Sequence, residues 1–392
     1  MHRLRSFLSA LRPTRLGVLF AVLIGLGVGF WQWGRPPRPR VEIENLRLDF
    51  GWCVFSPNGR TLAIAENSPN SGDWVVRSLS LWDVFTGQKK LHLLKDVGLR
   101  SAAFSPDGQT LACLFPDKVS VWNLAEGQLS ATYPWEAFHS WLFFAPDGKL
   151  LAGRNNDLWD VAQNKLVKKL VSEGEQVIGR GNALLVLTKR DTVKVWNLAG
   201  AKICAALKAA EFPEGWKTGE PFVWAHLAPD VPCLIAQHLR GGPVLVFHLS
   251  KGEKQEIAAT KFPGTHAPVI SPNGKTIALG ISRGTEQPSW WSRVRDWLGL
   301  EPPSDHWVTL CAIPSGQETV SLKGCSNPVF SADGRTLAVI GADCSSLQLW
   351  DLPIRKPIGK ILGLAGLTAI ATLLVFNGLG WLRRRRMRLK AG

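Results

Sequence analysis

The word FSPNGRTLA at position 55 returns as FSPDGQTLA at 104, and a chain that repeats itself at such an interval is confined to repeat architectures. Seven copies of decreasing fidelity align: FSPNGRTLA (55), FSPDGQTLA (104), FAPDGKLLA (144), IGRGNALLV (178), LAPDVPCLI (227), ISPNGKTIA (270) and FSADGRTLA (330). A second word follows most of them: LSLWDV (79), VSVWNL (119), NDLWDV (156), VKVWNL (193), VLVFHL (244) and LQLWDL (347). The sixth unit has only VTLCAI (308). First words lie 34 to 60 residues apart.

Each word has a physical task. An apolar strand ends at Phe-Ser, and Pro-Asp-Gly or Pro-Asn-Gly reverses the chain. Proline presets φ, Asp or Asn tolerates the turn, and Gly supplies positive φ. A second strand of the type TLA leaves the turn. The second word alternates apolar and polar residues, so it reads as a third strand with one buried face. T-G-Q, A-E-G-Q or P-S-G-Q then turns the chain into a short fourth strand such as KKLHLL at 89–94. Seven such units of four antiparallel strands predict an all-β fold, a seven-bladed β-propeller.

Over residues 41–352 the chain resembles the WD-repeat β-propeller family. Trp82-Asp83, Trp159-Asp160 and Trp350-Asp351 match the signature dipeptide, and Trp122-Asn123 and Trp196-Asn197 nearly match it. The family's Gly-His dipeptide is absent, so its buried Asp-His-Ser-Trp network cannot be complete. Phe247-His248 and Ala312-Ile313 stand in place of Trp-Asp. The resemblance implies a rigid platform for other molecules, with no activity and no cofactor of its own. After Asp351 no fourth strand follows, whereas VEIENLRL at 41–48 alternates and precedes the first unit. It is expected to complete the last blade and remove the open edge.

Charge is concentrated at the ends. Residues 1–40 hold seven arginines and no acid, and residues 352–392 hold nine Lys or Arg and no acid. The middle is then nearly neutral despite a net charge of +15, which argues against a nucleic-acid partner. The basic ends flank apolar runs at 16–33 and 361–382, each read as a transmembrane helix contacting lipid. Trp31, Trp33 and Trp381 sit where interfacial aromatics belong. A cleaved signal peptide is the alternative for the first run, but no A-x-A pattern follows it. The remaining segments are a basic tail at 1–15, linkers at 34–40 and 353–360, and a basic tail at 383–392. The helices are expected side by side, with Gly25, Gly29, Gly363 and Gly366 available for close contact. Basic residues number ten at the termini against seven in the linker segments, which places the termini in the cytoplasm and the propeller outside it. Seven cysteines without C-x-x-C spacing read mostly as small buried strand residues, and unpaired thiols favour the opposite orientation.

The Pro-Asp-Gly turns and the third-to-fourth-strand turns share one end, which is expected to face the membrane. Long irregular segments at 66–76, 209–221 and 280–306 belong to the other end and form the expected partner surface, with Trp74, Trp216, Trp290, Trp291 and Trp297. In PSWWSRVRDWLGLEPP, Trp290, Trp291, Val294, Trp297 and Leu298 fall on one helical face. That face can pack on the propeller, lie in headgroups or meet a protein. No catalytic residue and no metal ligand set is legible, since the eight histidines lack paired spacing. The reading is a non-catalytic protein-interaction scaffold in a membrane. A propeller enzyme or cofactor domain, and an accessory or sensor subunit of a membrane complex, are the alternatives.

Overall fold

The computed structural model describes residues 15–34, 37–48, 52–67, 76–135, 140–144, 147–154, 157–168, 176–180, 184–189, 192–197, 202–208, 223–228, 231, 233–238, 244–249, 253–257, 265–282, 306–313, 315–323, 325–341, 344–354 and 358–390. They form two compact units, Pro39–Pro353 and the pair of end segments Met1–Arg38 with Ile354–Gly392.

Among the described residues, Pro39–Pro353 is built from mostly antiparallel strands in five four-stranded sheets and one eight-stranded sheet. In group one, Trp52–Phe55, Thr61–Asn67, Val76–Asp83 and Lys89–Leu99 pair in chain order. Groups two (strands within 101–134), three (140–168) and six (265–323) repeat that order. The eight-stranded sheet joins groups four and five through Gln176–Arg180 and Val223–Leu227, which run parallel at Gly179↔Ala225 and Arg180↔His226. Two separate sheets were expected there. The fourth copy of the repeated word is the most eroded, its strand carries a bulge at Val177/Gly179, and Gly179 offers no Cβ to hold the neighbouring backbone away.

Group seven consists of Cys325–Phe330, Thr336–Gly341 and Leu347–Asp351, and its fourth strand is Val41–Ile43 from the other end of the chain. The register is Val41↔Leu349, Glu42↔Gln348 and Ile43↔Leu347. Regular pairing is shorter than the 41–48 expected, because Asn45 takes a positive φ of 61°. The chain nevertheless stays on the sheet, with Leu46 N and Leu48 N donating to Ser345 O and Cys344 O at 2.8 Å each.

First strands of successive groups lie beside one another in an arc from group four through five, six, seven, one and two to three. Apolar seams fill the spaces between groups, as the alternation of the strands requires. Ile43, Leu46, Leu48, Phe55, Leu62 and Ile64 form one seam with Ala338, Ile340, Leu347 and Leu349, so the joint between the chain's beginning and end is itself core. Comparable seams join groups one and two, two and three, and five and six.

The second unit is a pair of helices, α1 (Arg15–Gly34) and α2 (Ile358–Lys390). They run antiparallel, since Phe20 stacks on Phe376 at 5.6 Å while a Cβ on Gly29, further along α1, would meet Ala365 at 3.5 Å. A Cβ on Gly25 would lie 2.9 Å from the Ala365 carbonyl oxygen, so glycine sets the approach there. A Cβ on Gly363 or Gly366 would meet nothing within 4 Å, and α2 instead contributes Ala365 and Ala369 to the contact. Among the described residues only α2, over Leu362–Leu382, is long and apolar enough to cross a membrane. In α1 (20 residues) the described apolar stretch is Val18–Phe30, so the expected second span is not reached among the described residues. The basic residues 383–390, read as a tail, continue α2.

Candidate functional site

The repeated word folds into one hydrogen-bonded cassette. In group one, Ser56 N donates to Thr61 O (2.8 Å), Thr61 N to Ser56 Oγ (3.0 Å), and Ser56 Oγ to Asn58 Oδ1 (2.8 Å). Arg60 N donates to the same Asn58 oxygen at 3.0 Å, and Gly59 takes a φ of 66° that only glycine adopts freely. The pattern recurs around Ser105, Ser271 and Ser331, with Asp107, Asn273 and Asp333 in the Asn58 role. Asp and Asn interchange because only one side-chain oxygen is needed. Successive turns also touch: a Cβ on Gly334 would lie 3.5 Å from Pro272, one on Gly59 3.7 Å from Asp333, and one on Gly108 3.7 Å from Pro57.

The second word caps the next turn. Asp83 Oδ1 accepts from Phe85 N and Thr86 N at 2.9 Å each, and Asn123 Oδ1 accepts from Ala125 N at 3.0 Å. Lys90 Nζ reaches Asp83 Oδ2 at 2.8 Å, and that contact with the two N–H groups holds the Asp83 carboxyl well below the usual carboxylate range. A register shift falls at Trp82, Trp122, Trp159 and Trp196, a bulge that sharpens the local twist and that no residue type announced. The same shift occurs at Cys311, which lies opposite Ile277. The residues standing in place of Trp-Asp in group six are therefore Cys311-Ala312, one position earlier than the expected Ala312-Ile313. Phe247-His248 stand where expected, opposite Leu234 and Cys233.

Group three departs in register. Leu337 pairs with Trp350 and Leu62 with Trp82, but Trp159 lies opposite Ala152 and Asp160 opposite Leu151. Trp159 nonetheless packs toward the preceding group, as Trp82 and Trp122 do. Asp160 beside it is only 2% exposed, with Lys149 Nζ at 3.4 Å from its Oδ2.

Both kinds of turn occupy one end of the unit, stitched by Val84 N→Arg60 O (3.0 Å), Leu124 N→Gln109 O (2.9 Å), Ile313 N→Lys275 O (2.8 Å) and Leu352 N→Arg335 O (2.7 Å). The chain enters and leaves the unit at this end. Arg40 N donates to Leu349 O at 2.8 Å, and Arg40 Nε lies 3.1 Å from Asp351 Oδ1. Asp351 is the signature aspartate with no turn of its own to cap, and it takes the incoming arginine instead. Arg40 also donates from Nη2 to Val84 O at 3.1 Å and lies 4.9 Å from the Phe85 ring centroid. It thus bridges groups seven and one. Sequence reading counted Arg40 only as a linker charge, and its spacing from Asp351 of over three hundred residues carried no local signal.

Trp82, Trp122 and Trp159 pack into the seams, and Trp350 is buried. The indole N–H groups of Trp82, Trp122 and Trp350 are buried without a hydrogen-bond partner. Trp196 and Asn197 are described by backbone pairing alone, opposite Leu185 and Leu184. Trp74, Trp216, Trp290, Trp291 and Trp297 lie outside the described residues. Among the described residues no group of three His, Cys, Asp or Glu is placed to hold a metal ion. Cys53, Cys233 and Cys311 are buried, and burial pushes the Cys53 thiol up to about 12 and those of Cys233 and Cys311 up to about 11. Compared with known proteins, the chain matches no family model and no curated protein.

Proposed function

We propose that the chain is a non-catalytic interaction scaffold: a seven-bladed, WD-repeat-like propeller held at a membrane by α1 and α2. The observation that carries it is the joining of the chain's ends on one sheet, with Val41–Ile43 paired to Leu347–Asp351. Seven four-strand groups whose first strands form a continuous arc support a ring, and the shared last sheet is what such a ring uses to close. The outward residues of the helix pair are apolar, with Leu23 at 56%, Leu26 at 64%, Phe30 at 81% and Leu367 at 67% exposure, which supports lipid around both. On this reading the pair crosses as a hairpin, with the termini in the cytoplasm and the propeller outside it. The polar signature residues are engaged in turns, which supports a frame rather than a reactive centre. Partners then bind the end opposite the turns, through the segments holding Trp74, Trp216, Trp290, Trp291 and Trp297.

The test is cross-linking and affinity capture of the full chain in mild detergent, with and without the Trp290, Trp291 and Trp297 to Ala substitutions. The expected result is a specific set of captured proteins lost in the substituted chain at an unchanged unfolding midpoint. Capture that is identical in both chains, or absent from both, refutes the assignment of that surface. A cysteine placed at exposed Glu126 that labels only after cells are broken refutes the orientation.

A further inference from the structure

The turn-bearing end is not uniform in charge. The residue after each turn glycine points outward, and in groups six, seven and one it is Lys275, Arg335 and Arg60, all exposed. In group two it is Gln109, with exposed Glu126 on the neighbouring turn, and in group three it is Lys149, which is paired with buried Asp160 at 3.4 Å. Groups six, seven and one are consecutive, since a Cβ on Gly334 would meet Pro272 and one on Gly59 would meet Asp333. The cationic arc is therefore centred on the place where the chain enters and leaves the unit, marked by Arg40 and Leu352. Lys90 of group one is spent on Asp83 at 2.8 Å, and Lys89 lies 4.0 Å from Glu66 and over the Trp82 ring, so neither adds free charge to it. Of the described acids in the arc, Asp83 is paired with Lys90 and Asp351 with Arg40, while Asp333 and exposed Glu318 accept only from neutral donors and offset part of its charge. Phe85 stands in the same arc, 58% exposed and backed by the Arg40 guanidinium.

We infer that this arc seats on the anionic headgroups of the bilayer, with Lys275, Arg335 and Arg60 at phosphates and Phe85 at the acyl boundary. The inference rests on the proposed membrane attachment and adds to it a lipid-specific surface on the strand unit itself. Cations outside one shared arc would attract an anionic surface weakly in any orientation. Here they share one side with an exposed aromatic and with both chain exits, which is the arrangement of an interfacial contact. Each Lys or Arg near an anionic surface contributes about fivefold to binding, so losing three lowers the seated fraction's ratio roughly a hundredfold.

The experiment places the full chain in nanodiscs of phosphatidylcholine alone or with phosphatidylglycerol, and compares it with Arg60→Gln/Lys275→Gln/Arg335→Gln. Lys149 is left intact because it covers buried Asp160. Amide exchange is followed at residues 55–61, 270–276 and 330–336, with 104–110 of group two as internal control. Slower exchange of the first three segments in anionic discs, abolished in the variant and by high salt, with 104–110 unchanged, is the expected result. Equal exchange in the two lipids, or a difference that survives in the variant, overturns the inference while disc insertion shows that attachment stands. Protection independent of lipid but lost on dilution assigns the arc to a second copy of the chain and also overturns it. A chain that does not co-elute with discs refutes the attachment and this surface together.

Discussion

If the chain's ends are part of the core, an alanine at Ile43 must weaken the whole strand unit, while its neighbour Glu42 must not. Ile43 is 4% exposed and shares a seam with Leu347, Leu349, Phe55 and Leu62, residues of groups seven and one. Truncation removes three carbons from a site walled on both sides by strands, which leaves little room to collapse, and costs about 3 kcal/mol. Glu42 faces solvent on the same strand, and its one described partner is Gln348 Nε2 at 2.9 Å. Glu42→Ala should therefore stay within about 0.5 kcal/mol. Urea unfolding of the full chain in detergent, followed by tryptophan fluorescence, reads both. With m near 3 kcal/mol per molar for a unit of this size, Ile43→Ala should lower the midpoint by about 1 M. An unchanged midpoint for Ile43→Ala, accompanied only by faster proteolysis near residues 41–48, would show that this strand is an appended edge and that nothing closes through it.

Ser331→Ala leaves the Thr336 N–H buried without its 2.9 Å acceptor, and should cost about 2 kcal/mol, read as a lower thermal midpoint. Asp83 and Asp107 have carboxyls held low, Asp83 chiefly by Lys90 and Asp107 chiefly by the Ser105 hydroxyl. Depressed folded values mean that their stabilisation is complete above the unfolded value of about 3.9 and is lost as pH falls below it. Denaturant titrations at descending pH should accordingly show a fall in stability starting near that value, and a shallower one in Asp83→Asn. Gly25→Leu should separate α1 from α2 and Gly27→Leu should not, because a Cβ at Gly25 meets Ala365 whereas one at Gly27 would meet nothing within 4 Å. Cross-linking yield between cysteines at Phe20 and Phe376 measures the difference.

Local chemistry made the turns and strands legible. Ser, Pro, Asp or Asn, Gly and Thr at set spacing can satisfy one another within seven residues, so the word at 55 specifies its own cassette wherever it recurs. The third strands were legible from alternation, and the absence of a strand after Asp351 pointed to residues near 41. Legibility stopped where the deciding partner is distant in the chain. The register slip in group three, the alignment of Cys311 with the tryptophans, and the choice of Ala365 and Ala369 against α1 each depend on what lies across a strand or helix. For the expected tryptophan surface, the residues lie outside the described segments.

By itself, the amino-acid order determined that the chain would make repeated antiparallel hairpins, because turn conformation and strand alternation are decided within a few neighbouring residues. Only the tertiary structure decided register, the fusion of groups four and five, and the bridge from Arg40 to Asp351 and Val84. Those depend on side chains brought together across hundreds of residues, where burial and charge compensation are settled in space and leave no mark on sequence spacing.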